Sequence, residues 1–168
     1  SLSSVFFVIY GIETVVGWIH DAGQKAPAAN QPQYAGPAYD SSYAFDEFLG
    51  RKPIPSHNFK WVKTLNGKPV IDVVMHVDSF SRRITPSVDS LNPKRDRYAL
   101  FFGCSFTYGD AVADNETIPY YFQKDNTAFQ AYNYGFFGYS PRHMLARLQH
   151  QNVTTQVAQK QGFAVYTY

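Results

Sequence analysis

Apolar and polar positions change rhythm along the chain, and each rhythm predicts a different kind of element. From Leu2 to Ile19, in "SLSSVFFVIYGIETVVGWIHDAG", the run is apolar over about the length that spans a bilayer's hydrocarbon core. Glu13 opposes a membrane span, since a carboxylate near mid-membrane costs roughly 2.5–3.5 kcal/mol on insertion scales. Trp18, His20 and Asp21 have the character of an interfacial exit. We read residues 1–22 as a membrane-anchor helix, with a buried helix or a signal segment as the alternatives. Residues 23–44 lose all hydrophobic period and carry Pro27, Pro32 and Pro37 among Ala, Gln and Asn. Too little apolar surface is present there to offset chain entropy, so a linker is expected. Residues 45–93 then alternate apolar with polar, and Asn66-Gly67 separates two such runs, the signature of a two-residue hairpin turn. A β-rich extension follows from that pattern.

The rhythm changes again over residues 94–168. "RYALFFG" is a short continuous apolar run ended by glycine, the pattern of a parallel strand covered on both faces. Asn115 and Thr117 offer helix-start chemistry before "IPYYFQKD", with Pro119 acceptable in a first turn. "QAYNYG" reads as a second strand. In "SPRHMLARLQHQ", Ser140 is the expected N-cap, Pro141 the first helical residue, and Met144, Leu145 and Leu148 the buried face. "GFAVYTY" reads as a third strand. The order β-α-β-α-β predicts an α/β fold, a three-layer α/β/α doubly wound parallel sheet truncated after about the third strand. Such sheets bind ligands beyond the carboxyl ends of their strands.

Composition narrows the function. Among 168 residues the formal net charge is only +2, which makes no field of the kind that holds nucleic acid, so no nucleic-acid partner is expected. The basic clusters "SRRI" and "NPKRDR" are short and sit beside turn residues, and both read as solvated surface. Cys104 is the one cysteine in the sequence, so no disulfide framework and no cysteine-spaced zinc site exists within it. His57 and His76 fall on the β-rich stretch, where a lone histidine is more often structural than a ligand.

Candidate chemistry gathers in "FFGCSFTYGDAV". Ser105 stands at the end of a buried strand, in a loop flanked by Gly103 and Gly109, where an α/β sheet exposes reactive groups. Three phosphate or acyl motifs fail on spacing. A P-loop needs Lys after its second glycine, where this chain has Asp110. A nucleophile elbow needs glycine two places after the serine, where Thr107 stands. A dinucleotide fingerprint needs three glycines opening one helix, and neither loop has them.

"FFGCSFTYGDAVADNETIPYYF", followed about thirty residues later by "YNYGFFGYSPRHMLARL", resembles the first two signature blocks of the SGNH (GDSL-type) hydrolases over residues 94–168. Gly103, Ser105, Thr107 and Gly109 match the first block. The N-terminal segments resemble those of membrane-tethered bacterial members. The resemblance implies a serine ester hydrolase: Ser105 as nucleophile, the N–H groups of Ser105 and Gly138 as oxyanion donors, and Gly103, Thr107 and Gly109 shaping the loop. It implies no cofactor and no metal. Cys104 stands where the family usually has Asp, with its thiol expected on the buried side. The family's third oxyanion donor and its Asp and His are expected beyond Tyr168, leaving this chain inactive alone. Of the local histidines, His143 is read as a rim residue and His150 as too far along its helix. The expected partners are a small-molecule or carbohydrate ester and, through the N-terminal helix, a membrane facing the periplasm or extracytoplasmic space. Two alternatives remain open, an O-acetyltransferase acting on envelope polysaccharide and a non-catalytic binding or assembly module.

Overall fold

The computed structural model describes residues 34–35, 42–88 and 95–168. The anchor expected over residues 1–22 lies outside the described residues, as does most of the linker. Among the described residues no helix is long and apolar enough to cross a membrane.

The run "RYALFFG" forms strand β6 (Arg97–Gly103), which pairs in parallel with β7 (Phe129–Asn133) on one side and β8 (Gln161–Thr167) on the other. Between them lie α1 (Ser105–Tyr108), α2 (Ile118–Asp125) and α3 (Pro141–His150), with 3₁₀ turns at Asp114–Glu116 and Val153–Gln156. Alternate residues of β6 serve opposite faces. Ala99 and Phe101, with Ala131 of β7, pack under Phe122 of α2. Leu100 and Phe102, with Tyr134, pack under Met144 of α3 and Val153. Both faces of β6 are covered, which is why its sequence is continuously apolar rather than alternating. The first connection leaves β6 toward β7 and the second returns past β6 to β8, so the sheet is doubly wound about β6. An α/β fold with a parallel three-stranded sheet is therefore present.

Of the expected helix signals, Asn115 falls inside the 3₁₀ turn Asp114–Glu116, and Thr117 and Pro119 act as read. Thr117 caps α2, its hydroxyl accepting from the Tyr120 N–H at 3.3 Å, and Pro119 sits in the first turn. Ser140 and Pro141 open α3. The buried face of α3 differs from expectation: Leu145 and Leu148 are exposed, while Met144 and Arg147 turn inward. The wall facing this helix is aromatic and hydroxylated. Arg147 lays its guanidinium 5.1 Å from the Tyr134 ring centroid, a contact a leucine has no means to make, while its Nε and Nη1 are buried with no hydrogen-bond partner among the described residues.

Upstream, β1 (Tyr34–Ala35), β4 (Asn58–Leu65) and β5 (Lys68–His76) form an antiparallel sheet, and β2 (Tyr43–Asp46) pairs with β3 (Gly50–Pro53). Asn66 and Gly67 join β4 to β5 with φ of 51° and 76°, the two positive values a type I′ turn requires. Alternation does its work in β4: Phe59 and Trp61 point inward, while Lys60 points out and pairs with Asp72 at 3.1 Å. Phe59, Trp61, Met75 and Leu49 share one core with Tyr108, Phe136, Phe137 and Tyr139. The antiparallel strands thus bury their apolar side against the loops that leave the parallel sheet.

The cluster "SRRI" is not solvated surface. Arg82 and Arg83 are 6% and 1% exposed, and Arg83 bridges Val77 and Asn133 through its backbone, lying alongside the edge of β7. A charge sign along the sequence does not reveal whether carbonyls and carboxylates from other segments will surround it.

Candidate functional site

Strand β6 ends at Gly103, Cys104 is the N-cap of α1, and Ser105 is its first residue. The helix lasts one turn. Gly109 stops it in the left-handed conformation at φ 85°, and the N–H groups of Gly109 and Asp110 both donate to the Ser105 carbonyl, at 2.9 and 3.0 Å. Ser105 is half-exposed, and among the described residues neither its hydroxyl nor its N–H has a hydrogen-bond partner. It lines a cavity of about 400 Å³ together with Phe106, Asp110, Val112, Glu116 and Ile118. Phe106 is 78% exposed there, and Asp110 Oδ1 is buried with no hydrogen-bond partner among the described residues.

The glycines earlier and later in this loop are required by close approach. A Cβ on Gly103 would overlap Thr107 Oγ1 and lie 2.5 Å from the Thr167 carbonyl oxygen. Thr107 itself is fully buried. Its hydroxyl bonds the Thr167 hydroxyl of β8, and its carbonyl accepts from Asn133 Nδ2 at 2.8 Å. The loop after β6 is thereby tied to both neighbouring strands.

The loop after β7 runs beside it. Tyr134 N–H donates to the Phe101 carbonyl at 2.8 Å and Phe136 N–H to the Gly103 carbonyl at 3.1 Å, so Gly138 and Ser105 each lie two residues beyond that last bond. Gly138 sits in a turn closed by Tyr139 N–H to the Phe136 carbonyl, with φ 71° and an N–H that has no acceptor among the described residues. Its need for glycine comes from an unexpected side. A Cβ there would stand 2.7 Å from Arg51 Nη2, which donates to the Phe137 carbonyl at 3.1 Å, while Tyr139 Oη donates to the Arg51 carbonyl at 2.7 Å. Burial pushes the Tyr139 phenol up to about 12 against the pull of Arg147. The structure brings Ser105 and Gly109 to one cavity and places Gly138 on the adjoining loop, outside its lining.

None of the described histidines lines this cavity. His143 Nδ1 accepts from the Ser140 N–H at 2.9 Å, closing the N-terminus of α3, and its ring stacks on Tyr139 at 4.6 Å. Burial, with Arg142 and Arg51 nearby, holds it below the ordinary histidine range. His150 stacks on Phe48 at 4.1 Å. His57 is exposed and gives its carbonyl to the Val77 N–H. His76 is the one the sequence undervalued: its Nδ1 lies 2.5 Å from Asp114 Oδ2, and its N–H donates to Asp114 Oδ1 at 3.3 Å. Cys104 is half-buried.

Arg83, expected from the sequence to be solvated charge, is instead enclosed by acceptors. Its Nε donates to Asp114 Oδ1 at 2.9 Å, Nη1 to the carbonyls of Tyr108 at 2.9 Å and Gly109, and Nη2 to the Val112 carbonyl at 2.6 Å. No sequence signal joins Arg83 to a carboxylate 31 residues downstream. Beside this guanidinium, burial pushes the Tyr108 phenol up to about 12. Among the described residues no group of three His, Cys, Asp or Glu side chains is placed to hold a metal ion.

Comparison with known proteins returned no matching family model and no matching curated protein. The site therefore has to be read from its own chemistry.

Proposed function

We propose that this chain carries the nucleophile of an SGNH-type serine ester hydrolase. The observation that supports the reading is the position of Ser105. It opens α1 two residues beyond the carboxyl end of the strand about which the sheet is doubly wound, the place where such sheets present ligand-binding loops, with its hydroxyl unengaged beside a cavity. In this reading Ser105 Oγ attacks the acyl carbonyl and its proton passes to a histidine outside the described residues. The tetrahedral oxyanion is met by the N–H groups of Ser105 and Gly138, each donor of this kind contributing about 3–4 kcal/mol in enzymes where one has been removed. The alcohol departs with the transferred proton, and water releases the acyl group from Ser105. No residue of the described site calls for a metal or an organic cofactor in these steps.

The test is covalent labelling of the full-length protein with a fluorophosphonate, with Ser105→Ala as control and the modified residue located by mass spectrometry. Labelling at Ser105 that vanishes in the variant supports an activated nucleophile. A folded, intact protein that stays unlabelled removes the esterase reading and leaves Ser105 as a turn residue of a non-catalytic binding module.

A further inference from the structure

We infer that Arg83 is a positioning residue for Ser105, acting from a segment upstream of the parallel sheet; the inference rests on the reading of Ser105 as nucleophile. A guanidinium buried to 1% exposure is costly unless its N–H groups are satisfied. Here every bond it makes through its side chain goes to one stretch of chain, residues 108–114. Two of the acceptors, the carbonyls of Tyr108 and Gly109, belong to the C-terminal end of α1, where carbonyls lack helical partners and attract positive charge. The guanidinium also lies 5.3 Å from the Tyr108 ring centroid.

The connection to Ser105 is direct. The N–H groups of Gly109 and Asp110 hold the Ser105 carbonyl, and the carbonyls of the same two peptide units, those of Tyr108 and Gly109, accept from Arg83 Nη1, while Nη2 holds the Val112 carbonyl further along the loop. Asp114 closes the arrangement by taking Arg83 Nε on one oxygen and His76 Nδ1 on the other, anchoring the loop to β5. Lysine would keep the charge and lose the planar fork that reaches four acceptors at once. A shift of the nucleophile by about 1 Å costs on the order of a hundredfold in rate.

Arg82 provides the control. It is buried as well, but its side chain bonds Asp78, the Tyr134 hydroxyl and the Gln156 carbonyl, none of them in the loop of Ser105. The experiment compares wild type, Arg83→Lys, Asp114→Asn and Arg82→Lys, each as the folded full-length protein. It measures the fluorophosphonate labelling rate at saturating probe, the probe concentration for half-maximal rate, and amide hydrogen exchange over residues 105–112. Arg83→Lys is expected to slow saturated labelling by about tenfold to a hundredfold, with the half-saturating concentration unchanged and exchange over 105–112 accelerated. Asp114→Asn, which loosens Arg83 without removing it, shifts both readouts the same way by less, and carries the test should Arg83→Lys not fold. Arg82→Lys lowers thermal stability and leaves both readouts at wild-type values.

Wild-type labelling and exchange in folded Arg83→Lys overturns the inference. So does equal slowing in Arg82→Lys, since the effect would then belong to any buried charge. A wild-type protein that never labels overturns the nucleophile reading instead, and exchange over 105–112 still decides whether Arg83 holds the loop.

Discussion

Gly109→Ala probes the loop at its tightest point. The left-handed backbone at φ 85° costs a residue bearing a Cβ about 1–2 kcal/mol. The new methyl would also lie 2.6 Å from Thr117 Cγ2 and 2.9 Å from Arg83 Nη1, both on buried side chains with little room to yield. Overpacking of that kind adds about 1–3 kcal/mol, for a total of about 2–5 kcal/mol. Gly50→Ala is the matched reference: φ is 72°, and nothing lies within 4 Å of the added Cβ, so it carries the backbone cost alone. Gain from a less flexible unfolded chain applies to both and cancels in the comparison. Urea titration followed by the fluorescence of buried Trp61 should place Gly109→Ala about 1–3 kcal/mol below Gly50→Ala. Thr117→Ser in the Gly109→Ala background removes the nearer clashing carbon while keeping the hydroxyl that caps α2. That double variant should recover part of the loss, giving a coupling energy on the order of 0.5–3 kcal/mol. Equal destabilisation by the two alanines, or a coupling of zero, would falsify this account of the loop.

Two further outcomes follow from burial. Tyr108 and Tyr139 have phenols raised to about 12 in the folded protein, so they stay neutral while their unfolded counterparts ionise. The stability they contribute is complete below pH about 10 and is lost as pH rises from there through about 12, which urea midpoints taken across that interval will show; Phe at both positions should flatten the decline. Met75 has no exposed surface and faces Phe59 across the hairpin, so Met75→Ala should cost about 2–5 kcal/mol by the same titration. Val74→Ala, one residue away on the exposed side, should change stability by only about 0.5 kcal/mol.

Local patterning was sufficient for the elements. The continuous apolar run of β6, the alternation of β4, Asn66-Gly67 and the Thr117 and Ser140 caps act through neighbours a few residues away, and each can be recognised in a short window of sequence. The placing of Ser105 at a strand's carboxyl end was legible for the same reason. What surrounds it was not. Arg83 looked like solvated charge because its acceptors come from residues 108–114, Arg147 displaced two leucines from the core because Tyr134 and Tyr139 face it, and Gly138 needs its missing side chain because Arg51 arrives from β3. Burying the Arg83 charge is tolerable because its four acceptors are in place, and such acceptors are assembled by long-range packing that no local pattern encodes. The sequence by itself determined the strands, the caps and the serine; only the tertiary structure decided which charged side chains would be drawn inside to hold that serine's loop.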